Sequence, residues 1–156
     1  MTYSELMAQT RAFMESRALL TAIELDVFSA VGEGANASRV ATRIGADPRA
    51  TGMLLNALCA IGALSKKGET FRNTPVTRRC LTGRPPRNER AAFLHTVNLW
   101  PRWSTLTEAV RKGTSVWRTH QPASQPAGTE AFIAAMHRNA ATRAPRLVRA
   151  VGVRGA

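Results

Sequence analysis

Between Leu19 and Val31 nine of thirteen residues are apolar, and only Thr21, Glu24, Asp26 and Ser29 interrupt them. Wound as a helix, such a segment is apolar nearly all round and must be covered on more than one side. Leu20, Ile23, Val27 and Val31 fill one face at helical spacing, which leaves Leu19, Leu25 and Phe28 turned another way. Two arrangements satisfy the pattern: a central helix of one core, or a helix shared with a second subunit. Periodicity leaves both open. The helical pattern reaches back to Ser4, with a break or kink expected near Glu15 and Ser16.

Beyond Val31 the chain reads as short helices and a hairpin. Gly32 and Gly34 end the first segment, and Asn36 or Ser38 can cap a helix running to about Ile44. In Gly45-Ala46-Asp47-Pro48, Asp47 suits an N-cap and Pro48 the first helical position. The next helix carries Met53, Leu54, Leu55, Leu58 and Ile61 and closes at Gly62. Ala63 to Lys67 and Thr70 to Thr74 then form a hairpin, with Gly68 in the turn. A helix-turn-helix followed by a hairpin is a winged helix. Pro75 opens a short helix to Leu81, and Thr82 to Arg87 is a loop. The remainder predicts helices over Asn88 to Val97, Pro101 to Lys112 and Thr129 to Val151, with a loop from Ser115 to Gly128 and a break at Pro145. The expected fold is mostly α: a winged helix-turn-helix with flanking dimerisation helices in residues 1–82, and a helical region in residues 83–156.

Composition removes several function classes. Met1 to Arg11 contain no basic cluster followed by an apolar stretch, so no secretion signal is read there and the expected location is the cytoplasm. The longest apolar run, Leu58 to Leu64, is far short of the roughly 20 residues a membrane span needs, so no membrane partner is expected. Cys59 and Cys80, like His95, His120 and His137, are too scattered for a metal site. The net charge of +12 is unevenly placed: residues 1–70 hold seven basic and seven acidic residues, whereas residues 71–156 hold fifteen basic and three acidic.

Three stretches carry a family resemblance: Ala18 to Phe28, Val40 to Pro48, and Leu54 to Leu64. Trp103 to Gly113 and Phe132 to Met136 add to it. In this order they resemble the amino-terminal region of S-adenosylmethionine-dependent O-methyltransferases that act on plant phenolics and on bacterial polyketides, phenazines and carotenoids. The resemblance implies an intertwined homodimer, with Leu19 to Val31 in the dimer contact, and a helical lid over a small aromatic or polyketide acceptor. It also implies a carboxy-terminal half that binds the methyl donor. No G-x-G-x-G stretch occurs in the 156 residues, so no cofactor-binding residue, catalytic residue or metal ligand is assigned. The chain by itself is expected to be inactive.

By the same resemblance, the acceptor side draws on Phe132, Met136 and Asn139, which share a helix face, and on Trp103, Trp100 and Phe93. An aromatic and a soft thioether suit a flat ring, and tryptophan is large enough to wall a cavity. Plain core packing is the alternative for each, and the stronger one for Trp100.

A DNA-binding winged-helix regulator is the rival from another class. Its reading helix would offer only Arg49, Thr51 and Asn56 as polar contacts, and its wing Lys66 and Lys67, beside Glu69. Phosphate contacts dominate DNA affinity, so a neutral head in residues 1–70 argues against a specific nucleic-acid partner.

Overall fold

The computed structural model describes residues 1–83, 88–117 and 126–152, in two compact units, residues 1–90 and 91–156. In the first, the elements are α1 (Tyr3–Glu24), α2 (Val27–Val31), α3 (Ala37–Ile44), α4 (Pro48–Ala60), β1 (Leu64–Lys67), β2 (Thr70–Asn73) and α5 (Pro75–Leu81). This is the winged helix expected from the sequence, with α1 and α5 at its flanks.

Its elements are set by local chemistry. Thr2 and Glu5 form a reciprocal capping box that starts α1. Asn36 caps α3 by accepting from the Arg39 amide at 2.9 Å, and Asp47 caps α4 by accepting from the Ala50 amide at 2.8 Å, ahead of Pro48. The hairpin pairs Leu64 with Asn73 and Lys67 with Thr70, and Gly68 turns the chain at φ 57. On the other edge of β2, Ala35 and Phe71 exchange backbone hydrogen bonds of 3.1 and 2.9 Å, which stitches the wing to the entry of α3. The core gathers Ile23, Val27, Phe28, Val31, Val40, Leu55, Leu58 and Phe71, all essentially inaccessible. Burying each large side chain stabilises the unit by about 1.5–3 kcal/mol.

Two expectations about the first thirty residues are corrected. No break occurs at Glu15 or Ser16: the Ser16 hydroxyl donates to the Ala12 carbonyl at 3.3 Å, and α1 runs on through both residues. The break falls instead at Asp26, in the left-handed conformation (φ 56) that aspartate tolerates. Leu19 to Val31 is therefore the end of α1 plus a separate α2, and the helical phase is reset between them. Phe28 consequently lies in the core at 1% exposure, Leu19 is half-buried, and Leu25 alone of the three is exposed, at 41%. The larger uncovered apolar surface lies further back, on Tyr3, Leu6, Phe13 and Met14 of α1.

The second unit contains most of α6 (Arg90–Ser104), together with α7 (Leu106–Lys112) and α8 (Pro126–Val151). Pro101 does not open a helix; it lies inside α6, and Trp100 and Trp103 sit near that helix's end. A proline removes one backbone donor, and here the helix continues past it until Thr105, whose amide and hydroxyl both turn to the Arg102 carbonyl, at 3.2 and 2.7 Å. Pro145 likewise lies within an unbroken α8, where its own carbonyl accepts from Arg149 Nε at 3.1 Å. α8 begins at Pro126, three residues ahead of Thr129, with proline at a first-turn position that needs no donor. Residues 84–87 of the Thr82 to Arg87 loop and 118–125 of the Ser115 to Gly128 loop, His120 among them, lie outside the described residues. No helix among the described residues is long and apolar enough to cross a membrane.

Candidate functional site

The six residues expected on the acceptor side lie on α6 and α8, in two different settings. On α8, Phe132, Met136 and Asn139 follow one another at four and three residues and form one exposed face, while Ala131 and Ala135 are buried. Phe132 reaches α6 through His95, ring to ring at 5.5 Å and 67°, an edge-to-face arrangement. Phe93 precedes His95 by two residues and is 38% exposed, and Trp100 is half-buried on the same helix.

Trp103 belongs to the other setting. It is 68% exposed and lines an open groove of about 500 Å³ with Leu99, Arg102, Leu106 and Trp117. The Arg102 guanidinium lies over the Trp117 ring, 5.3 Å from its centroid. Arg102 and Trp117 escaped the sequence reading because their meeting depends on α6 continuing through Pro101 and on the turn at Gly113. A broader concavity of about 690 Å³ runs beside Thr129, Ile133 and His137, but residues of α8 alone line it, which makes it a helix surface rather than an enclosed pocket.

Of the polar positions that a DNA-reading head would use only Thr51 is buried, and the exposed Arg49, Asn56 and Lys66 contact neighbours on the surface. Thr51 is buried at 3% exposure, Asn56 accepts from Lys66 Nζ at 3.4 Å, and Lys66 also lies over the Phe71 ring at 4.9 Å. Arg49 Nη1 lies 3.4 Å from Met53 Sδ. Beside this cluster, burial pushes the Cys59 thiol above its ordinary pKa, with Lys66 pulling more weakly the other way. Among the described residues no three potential metal ligands come together. The nearest approach to a glycine-rich loop, Gly32 to Gly34, is packed against the wing: a side chain at Gly34 would meet Thr70 Cγ2 at 3.2 Å.

Comparison with known proteins agrees with this architecture. Residues 7–83 match the family described as the O-methyltransferase dimerisation domain. The tetracenomycin polyketide synthesis 8-O-methyl transferase TcmO of Streptomyces glaucescens is 39% identical over 112 residues, covering 70% of this chain and 33% of that protein. A solved O-methyltransferase family protein from Burkholderia thailandensis superposes with a TM-score of 0.77 at 26% identity, over 99% of this chain and 46% of that one. The structure of PigF with SAH gives 0.79 at 26% identity, over 90% and 45%. The chain thus spans about a third of the curated relatives it matches and under half of these solved structures. With its winged helix flanked by α1 and α5, the segment 7–83 belongs to the O-methyltransferase dimerisation domains.

Proposed function

We propose that this chain serves as the dimerisation and acceptor-side part of an S-adenosylmethionine-dependent O-methyltransferase, assembling as a homodimer. The observation that carries the reading is the superposition of nearly the whole chain, both units included, on the Burkholderia thailandensis O-methyltransferase family protein. The uncovered apolar side chains of α1 supply the surface for a second copy, and a symmetric dimer covers both at once. Phe132, Met136 and Asn139 on α8, with Phe93 and Trp100 on α6 and Trp103 at its end, would contribute the acceptor side. A planar phenol or polyketide fits such aromatic and thioether surroundings. Methyl transfer also requires the acceptor oxygen to be held in line with the donor methyl group, and these residues supply position, not a base. The methyl donor would be held by residues other than the 156 of this sequence.

Light scattering tests the assembly: about twice the 16.9 kDa chain mass is expected. A well-folded monomer at high micromolar concentration would overturn it. Calorimetric titration of the chain with S-adenosylmethionine is expected to give no saturable heat. A micromolar dissociation constant, about 8 kcal/mol of binding, would place a donor site within these residues.

A further inference from the structure

The groove at the end of α6 has features that neither dimerisation nor the Phe132 face uses. Arg102 is exposed, and among the described residues no carboxylate lies within ion-pair distance of it; the acid of α7, Glu108, is bonded to Lys112 at 2.7 Å. The Arg102 guanidinium is instead held over the Trp117 indole. Trp117 Nε1 is buried with no acceptor among the described residues, so the ring offers its π surface rather than its polar edge. Across the groove the Trp103 indole is 68% exposed, which leaves one of the largest apolar side chains without cover. Leu99 and Leu106 line the rest.

These features select a ligand by chemistry. A volume of about 500 Å³ accommodates a small molecule, since ligand pockets run to roughly 300–1,000 Å³. Two indoles favour a flat aromatic ring system. A guanidinium stacked on an indole keeps its planar fork of donors, which matches a carboxylate geometrically and is partly immobilised before the ligand arrives. Residues 91–156 hold nine basic and two acidic residues, so the surrounding field attracts an anion. We infer that this groove is a binding site for a planar aromatic carboxylate, its ring system against Trp103 and its carboxylate on Arg102. The inference shares Trp103 with the acceptor-side reading and otherwise rests on Arg102 and Trp117, which that reading does not use.

Calorimetry on the full 156-residue chain tests it, with 2-naphthoate as the probe and 2-naphthamide as its uncharged counterpart. Saturable binding of 2-naphthoate is expected, at least tenfold tighter than the amide. Arg102→Gln should erase that preference, and Arg102→Lys should keep part of it by retaining the charge without the planar fork. Trp103→Leu should weaken both ligands, and Phe132→Leu neither. Circular dichroism of each variant confirms that the helices persist, which exposed positions permit. Equal affinity for acid and amide, an unaffected Arg102→Gln protein, or loss of binding in Phe132→Leu would each overturn the assignment.

Discussion

Asn73, the last residue of β2, donates from Nδ2 to the carbonyl oxygen of Phe28 at 3.0 Å, across 45 positions of sequence. The same group also donates to Gly32 at 3.0 Å, so one side chain satisfies two carbonyls at the end of α2 and fixes the wing to it. Asn73 is only 6% exposed, and water has little access to replace it. Asn73→Ala is expected to cost about 1–3 kcal/mol in urea unfolding. Asn73→Asp should cost more, because it presents a buried charge to two carbonyls. A change within experimental error for both would show that these bonds contribute nothing net.

Arg90 does the corresponding work at the end of α1. Its Nε donates to the Ile23 carbonyl at 2.7 Å and its Nη2 to that of Glu24 at 2.8 Å, with Asp26 Oδ1 3.4 Å from Nε. The Glu24 carbonyl thereby gains a donor from 66 residues away, and the Ile23 carbonyl, which already accepts from the Asp26 amide at 3.2 Å, gains a second one. Arg90→Met should lower stability by about 1–2 kcal/mol. Arg90→Lys should recover little of it, since one ammonium cannot reproduce the two-nitrogen reach. Full recovery with lysine would mean that the ion pair to Asp26, not the carbonyl bonds, is what matters.

The reset of helical phase at Asp26 separates two substitutions that the sequence treats alike. Phe28→Glu places a carboxylate in the core and is expected to unfold the protein. Leu25→Glu, at an exposed position, should leave the circular dichroism spectrum unchanged while shifting the light-scattering mass toward the monomer. Phe13→Glu is expected to do the same from the earlier part of α1. Folded dimers from both exposed variants would exclude these two positions from the contact.

Cys59 gives a pH signature. Its thiol holds its proton more tightly in the folded chain than when unfolded, because burial disfavours the thiolate. The unfolded state therefore releases a proton first as pH rises past the ordinary thiol value of 9.0, and stability falls there. Below that value the contribution is fully present. Unfolding midpoints measured from pH 7 to 10 should decline less steeply in Cys59→Ala than in the unmodified chain. Identical slopes would contradict the shift.

Duplex DNA should bind weakly, without sequence preference, and with steep salt dependence, because the basic excess lies in residues 71–156. Replacing Arg49 and Asn56 together by alanine is expected to leave that binding unchanged. A selected sequence whose affinity survives physiological salt and disappears with those two changes would instead favour the regulator reading.

The parts of the fold legible in the sequence are those decided within a few residues. Asn36, Asp47 with Pro48, and Gly68 each act on backbone groups no more than three residues away, and each capped or turned the chain where expected. Asp26 was not legible, since a left-handed aspartate is disfavoured locally and persists here beside Arg90, a residue distant in sequence. Pro101 and Pro145 misled in the same way: a proline signals a break from local geometry, and both helices run through it. A helix opening at Pro101 puts Trp103 at its start, whereas α6 carries it at its end, and the groove depends on that difference. The shared face of Phe132, Met136 and Asn139 followed from spacing alone, whereas the meeting of Arg102 with Trp117 required tertiary structure.

The stitching of Ala35 to Phe71 closes one side of the wing, and among the described residues the other side, the outer edge of β1, pairs with nothing. An unpaired strand edge is a template for adding another chain, and in the homodimer proposed above that hazard would recur at every encounter. β1 is four residues long and two of them are Lys66 and Lys67. Like charges on a short edge strand oppose its pairing with the same edge of a second copy, so the lysines that a regulator would turn to phosphate are here suited to discourage growth of the sheet.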